Sequence, residues 1–216
     1  MTTGSVFLMR TRIKICGITD PDDLQLALSL GADAIGFNMF ESSPRYVEVD
    51  AARSMVDALP PFVSSVGLFV NEAADAVAGI CSELPFDILQ FHGDEENKFC
   101  RQFGKPFIKV LRISSIDDFA KVDDFPDADG FLFDAHVEGL YGGTGQQIGW
   151  ELLEGLPDNS ILAGGLNAEN VAAAITRFKP FAVDVSSGVE ASPGKKDVNK
   201  MTGFFNAVAT ADRSTR

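Results

Sequence analysis

The sequence predicts an α/β fold, a closed (β/α)8 barrel of the TIM type with eight parallel strands and alternating helices, and three observations carry that prediction. Strand-like and helical patterns alternate eight times along 216 residues. The strands read as mostly continuous apolar runs, as strands covered on both faces do. The last two runs each end in a small-residue turn, Gly164-Gly165-Leu166-Asn167 and Ser186-Ser187-Gly188. Two adjacent backbone nests suit one phosphate, and in an eight-fold barrel the loops after strands seven and eight commonly form such a site. An open doubly wound sheet usually needs fewer strands and would not put two phosphate loops at the chain's end. No motif recurs from unit to unit, which argues against a solenoid.

The elements follow in order. Arg12 to Cys16 is the first strand, and Asp20-Pro21 offers an N-cap with proline at N1 for a helix from Asp22 to Leu30, stopped by Gly31. Ala34 to Phe37 is the second strand, with a helix from about Asp50 to Leu59 after the Pro44 loop. Val63 to Val70 precedes the helix Glu72 to Ser82, and Asp87 to Phe91 precedes Glu95 to Phe103, closed by Gly104. Phe107 to Leu111 leads to Ile116 to Val122, and Gly130 to Phe133 leads through a glycine-rich loop to a short helix near Trp150 to Leu153. Ile161 to Ala163 with Ala168 to Phe178, then Phe181 to Val185 with Val198 to Ala209, complete the set.

The composition, 45% hydrophobic and 23% charged, is that of one domain with a sizeable core. Residues 12–212 are expected to form the barrel, 1–11 an N-terminal extension and 213–216 a C-terminal tail. A net charge of −13 repels phosphodiester backbones and anionic lipid heads, so nucleic-acid and membrane partners are not expected. A small anionic substrate would then need a local positive patch. Three scattered cysteines without C-x-x-C spacing point to a reducing cytosol and no structural disulfide. The start has no basic region ahead of its apolar run, unlike a signal peptide, and no run approaches the roughly 20 residues of a membrane span.

In such a barrel the chemistry lies at the C-terminal ends of the strands. Cys16 ends the first strand before Gly17 and a helix start, where N–H groups would lower a thiol pKa; the alternative is a small buried apolar group. Asp134 follows Phe131-Leu132-Phe133, and burial there would keep it protonated as a general acid, unless it only caps its loop. Asp184 either orients a ligand hydroxyl or braces its loop. Arg45, after Ser42-Ser43-Pro44, can fork onto a carboxylate or sit in a surface ion pair. His92 can donate a proton or tie down the loop through Gly93 and Asp94, and His136 is read as solvent-facing. Cys81 and Cys100 fall in helical patterns and read as core. Two histidines without clustered ligands give no zinc site. Gly142-Gly143-Thr144-Gly145 lacks the spacing of a nucleotide cradle and is read as a loop over the site.

Lys14-Ile15-Cys16-Gly17-Ile18-Thr19, Ser43-Pro44-Arg45, Gln90-Phe91-His92-Gly93, Asp134, Gly142-Gly143-Thr144-Gly145, Leu162-Ala163-Gly164-Gly165-Leu166, Asp184 to Glu190 and Pro193 to Asp197 together resemble, in order and spacing, the phosphoribosylanthranilate isomerase family. The resemblance spans nearly the whole chain. It implies an Amadori rearrangement in tryptophan biosynthesis, acting on a small phosphorylated substrate with no cofactor and no metal. By that similarity Cys16 would be the general base, Asp134 the general acid and Arg45 the holder of the anthranilate carboxylate. Gly164, Gly165, Ser186, Ser187 and Gly188 would take the phosphate, with Asp184 and His92 orienting the sugar. The sequence leaves monomer and homodimer open. One rival is another phosphosugar barrel enzyme, such as the related isomerase of histidine biosynthesis, expected to use two carboxylates. A non-catalytic phosphosugar-binding barrel is the other; it would not need Cys16 and Asp134 together.

Overall fold

The computed structural model describes residues 10–134, 153–154, 156–157 and 160–214. Eight parallel strands close into one barrel in chain order: β1 Arg12–Cys16, β2 Ala34–Asn38, β3 Ser64–Phe69, β4 Ile88–Phe91, β5 Phe107–Arg112, β6 Gly130–Asp134, β7 Ile161–Ala163 and β8 Ala182–Val185. Strand β8 returns to β1, with Lys14 opposite Asp184 and Ile15 opposite Val185. The helices are α1 Pro21–Leu30, α2 Val49–Asp57, α3 Ala74–Glu83, α4 Asn97–Arg101, α5 Val171–Phe178 and α6 Val198–Ser214. The expected loop Gly142 to Gly145, His136 and most of the short helix near Trp150 lie outside the described residues.

Successive side chains of a strand point to opposite faces, so each strand feeds two cores. Outward residues such as Ile15, Ile35, Phe37, Phe91 and Val183 pack against the helices in one large buried cluster. Inward residues Ile108, Val110, Leu132, Ile161, Ala163 and Ala182 form a second cluster that fills the barrel. Higher on the same inward face stand Cys16, His92, Arg112, Asp134 and Asp184. The alternation that plugs the barrel with apolar groups thus delivers the polar ones to its mouth.

Local chemistry sets the ends of α1. Asp20 accepts from the Asp22 N–H at 2.8 Å with Pro21 in the first turn, and Gly31 closes the helix at φ 93°. Three expectations change. The acidic stretch Ile116–Asp124 winds as a 3₁₀ helix opened by a Ser115–Asp118 capping box. The last helix runs on to Ser214, beyond the expected barrel limit. At the other end, Arg10 pairs with Asp33, and the Thr11 hydroxyl donates to Asp212 at 2.8 Å, so residues placed in the extension are fastened to the barrel. Between β8 and α6 the chain also forms a hairpin, β9 Glu190–Ser192 with β10 Lys195–Lys196, turning at Gly194 with φ 80°.

Candidate active site

A cleft of about 570 Å³ occupies the C-terminal mouth of the barrel and is lined by Cys16, Arg45, His92, Asp134 and Asp184. Its far side is Gly164, Gly165, Ser186, Ser187 and Gly188, so every residue singled out for the site in the sequence borders this one cleft. Convergence follows from register: Arg112 of β5 lies opposite Asp134 of β6, and Lys14 of β1 opposite Asp184 of β8.

The two glycine loops touch. A Cβ on Gly188 would sit 1.8 Å from the Leu166 carbonyl oxygen, so only glycine lets the loop after β8 approach the loop after β7. Gly164 and Gly165 hold φ of 89° and 64°, the left-handed region that suits glycine. Asn170 stitches the first loop by donating to the Gly165 carbonyl at 3.0 Å. No long helix stands behind the second loop: Ser187–Val189 is a single 3₁₀ turn, and α6 starts only after the hairpin.

Cys16 is buried, 7% exposed. Burial pushes its thiol above the usual range, opposed by the Lys14 and Lys196 ammonium groups and reinforced by Asp184. Helix α1 begins at Pro21 and is capped by Asp20, so nearby cations, not helix N–H groups, favour the thiolate. Lys14 donates to Asp184 Oδ1 at 2.8 Å, which means that the Asp184 carboxylate holds a lysine as well as lining the cleft.

Arg45 is half-buried and already forks onto a carboxylate. Its Nε and Nη2 donate to Glu190 Oε1 and Oε2 at 2.8 and 2.7 Å. A guanidinium has five N–H donors, so this pairing uses one edge and leaves the Nη1 end for a second anion. Glu190 also accepts from Lys196 Nζ at 2.9 Å, and that nitrogen donates to the Cys16 carbonyl at 2.7 Å. Burial opposes charge on Glu190, but Arg45 and Lys196 outweigh it and hold the carboxyl below its ordinary range.

Across the mouth, His92 Nε2 stands 3.9 Å from Asp134 Oδ2, their side chains 27% and 23% exposed. Burial lowers the His92 pKa, and Arg112 adds to that while Asp134 opposes it. The deep burial expected for Asp134 is partial. The loop bearing His92 is pinned from below: Lys109 donates to the Gly93 carbonyl at 2.7 Å and to Glu95 at 2.8 Å. Gln90, one inward step below His92, has a buried Oε1 with no hydrogen-bond partner among the described residues.

Sequence reasoning passed over Arg112, Lys14, Glu190 and Lys196. Arg112 ends β5 and obeys the same strand-end rule that picked out Asp134. Lys14 carried a signal too, as a charge between Ile13 and Ile15 on the face that presents Cys16. Among the described residues no group of acidic, histidine or cysteine side chains could hold a metal ion.

A thiol and a carboxylate facing one cleft, with paired glycine loops beside them, define an acid–base enzyme of the (β/α)8 class. Residues 13–207 match the family model described as N-(5'phosphoribosyl)anthranilate (PRA) isomerase. The chain belongs to that family, whose members are aldose–ketose isomerases of tryptophan biosynthesis working by an Amadori rearrangement. It is 50% identical over 208 residues to the N-(5'-phosphoribosyl)anthranilate isomerase of Dechloromonas aromatica, covering 95% of this chain and 100% of that one. The Acidithiobacillus ferrooxidans enzyme of the same name is 52% identical over 198 residues, 91% and 97% of the two chains. Among solved structures, phosphoribosyl anthranilate isomerase from Thermotoga maritima superposes with a TM-score of 0.84 at 38% identity, over 93% of this chain and 99% of that one. A phosphoribosyl anthranilate isomerase in complex with reduced 1-(o-carboxyphenylamino)-1-deoxyribulose 5-phosphate superposes at 0.80 with 35% identity, over 93% and 99%.

Proposed function

We propose that the chain converts N-(5-phosphoribosyl)anthranilate to 1-(2-carboxyphenylamino)-1-deoxyribulose 5-phosphate with Asp134 as general acid and Cys16 as general base. The observation that carries this reading is that β1 and β6 bring Cys16 and Asp134 to one cleft. Opening the ribose ring requires a proton on the ring oxygen, and Asp134 supplies it. The resulting iminium makes the hydrogen on C2′ acidic; the Cys16 thiolate removes it, and the enolamine tautomerises to the ketone. The phosphate is held by backbone N–H groups of Gly164, Gly165, Ser186, Ser187 and Gly188, and the anthranilate carboxylate by the Nη1 end of Arg45. Anchoring both ends fixes C1′ and C2′ between acid and base. His92 and Asp184 orient the sugar, and no cofactor is required.

The three free thiols support action in a reducing cytosol, and no helix among the described residues is long and apolar enough to cross a membrane. Monomers generated from a dimeric isomerase of T. maritima are among the similar structures, at 33% identity and a TM-score of 0.80. Self-association of this chain is supported by its corner Pro60-Pro61-Phe62, where Phe62 is fully exposed at φ 72°. Sedimentation of the wild type against Phe62→Ser tests it. The activity is tested by generating phosphoribosylanthranilate in situ and following the loss of its fluorescence. Saturable binding without turnover would favour the non-catalytic barrel.

A further inference from the structure

Lysine is almost never fully buried unless paired, yet Lys14 lies inside the barrel at 4% exposure, one inward step below Cys16 on β1. Its partner is Asp184, directly across the β1–β8 pair with Nζ to Oδ1 at 2.8 Å. Burial alone would neutralise this lysine, but the carboxylate of Asp184 and the sulfur of Cys16 more than offset it and keep the ammonium charged. Lys14 does not border the cleft; it lies under its floor.

What lies above Lys14 is the thiol. A Cβ on Gly36 of β2 would fall 3.0 Å from Lys14 Nζ and 3.1 Å from Cys16 Sγ, so both groups border the space left by that missing side chain. The charged groups around Cys16 are few: Lys14 on its own strand, Asp184 from β8, Arg45 from the loop after β2, and Glu190 with Lys196 from the hairpin. Strand β2 contributes only neutral residues there. Lys196 is otherwise engaged, donating to the Cys16 carbonyl, Glu190 and the Ser186 carbonyl at 2.7, 2.9 and 3.4 Å. Arg45 forks onto the same Glu190 carboxylate. Lys14 is therefore the cation turned toward the sulfur.

We propose that Lys14 is a positioning residue for the reaction: clamped by Asp184 and seated over Gly36, it stabilises the Cys16 thiolate from below against the burial that opposes it. The proposal rests on the reading of Cys16 as the base. Lys14 touches no substrate atom; it acts through the sulfur, by charge and by fixing where the sulfur sits. When the thiolate takes the C2′ proton, the thiol that forms weakens its hold on Lys14, and Asp184 keeps the ammonium in place for the next turnover.

The test uses Lys14→Gln, Lys14→Arg and Asp184→Asn in the full chain. Two quantities are read against pH: kcat/KM, and the rate of Cys16 alkylation by iodoacetamide, followed by mass spectrometry on the Cys16 peptide. Lys14→Gln should move the alkylation profile and the acid limb of kcat/KM upward by about one unit or more. At neutral pH that is roughly a tenfold or greater loss, mainly in kcat and partly recovered at high pH. Lys14→Arg should keep the alkylation profile near that of the wild type. Asp184→Asn, which takes away the clamp that keeps the Lys14 ammonium charged and in place, should also move alkylation to higher pH. If Lys14→Gln does not fold, the arginine and asparagine variants still decide: a shift of alkylation to lower pH in Asp184→Asn, or a large upward shift in Lys14→Arg, overturns the proposal. An unshifted alkylation profile in folded Lys14→Gln overturns it directly. A shifted alkylation profile with an unmoved acid limb would instead overturn Cys16 as the base while upholding the coupling of Lys14 to the thiol.

Discussion

The wall of the cleft built by β1, β8 and the β9–β10 hairpin is dry and laced with ion pairs, whereas the face that His92 and Asp134 present from β4 and β6 is half open, with the buried Lys109–Glu95 pair lying beneath its loop. On the first wall the side chains of Lys14, Asp184, Glu190 and Lys196 are 5%, 10%, 4% and 0% exposed. Each makes a charged contact of 2.8 or 2.9 Å. On the second wall His92 and Asp134 keep 27% and 23% of their side-chain surface, with 3.9 Å between them. The difference matches the proposed chemistry. A buried thiol that must give up its proton to act as base needs fixed charges around it, because burial opposes the anion and the protein must stabilise it. An acid that acts on the ring oxygen of the substrate can complete its surroundings when the substrate covers it.

The largest expected effects break one wall at a time. Cys16→Ala should lower kcat by about 10²–10⁴-fold, with a smaller effect on substrate binding, the range for losing a general base. Asp134→Asn should be as damaging, since the amide keeps shape but cannot deliver the proton. Near-normal turnover in either folded variant removes that residue from the mechanism.

Glu190→Ala sets stability against activity on the dry wall. It would leave the fully buried Lys196 without its counter-ion and Arg45 without its fork. Breaking a buried pair in this way costs about 3–5 kcal/mol. Chemical denaturation should show a loss of that order, with KM rising as Arg45 swings free. Removing a half-exposed member of the open wall should cost far less. Equal losses on both sides would erase the contrast.

Next come the glycine loops, which border both walls. Gly188→Ala should drive a methyl group into the Leu166 carbonyl and pry the loops apart, raising KM for the phosphorylated substrate by roughly tenfold or more, since each charge-assisted hydrogen bond lost is worth about 1.5–3 kcal/mol. Gly165→Val should act by a different route. A Cβ there meets nothing within 4 Å, so the penalty comes from holding a β-branched residue at φ 64°. Both should leave the pH profile of kcat unchanged, because Cys16 and Asp134 stay where they are.

The two walls were unequally legible. The eight strands announced themselves because each is a short apolar run between turn signals, and strand ends alone pick out Cys16, His92, Asp134 and Asp184. The hairpin did not. Its strands are short and polar around Pro193-Gly194, without the alternation that marks a buried face. Its function also depends on contacts between residues far apart in sequence, Arg45 with Glu190 and Lys196 with Cys16. No local pattern encodes such a contact; only closure of β8 onto β1 creates it. For the same reason the thiol environment was misread as a helix start, when the cations beside Cys16 come from its own strand and from the end of the chain.

The smallest effect sharpens the comparison most. His92→Gln should reduce kcat only by about two- to fivefold, because at 3.9 Å the imidazole makes no direct hydrogen bond to Asp134 that the amide would lose. Stability carries the sharper signal. Burial lowers the His92 pKa in the folded protein, so the folded chain binds a proton less readily than the unfolded one. As pH falls through the ordinary histidine range, near 6.5, the unfolded state gains protons first and the wild type loses stability that the glutamine variant does not lose. The difference in unfolding free energy, wild type minus variant, should therefore shrink between pH 8 and pH 5.5. Growth of that difference on acidification would mean that Asp134 holds His92 as an imidazolium in the folded state. The open wall would then be an ion-paired one like its neighbour, and the assignment of a proton-donating Asp134 beside a neutral histidine would fall with the contrast.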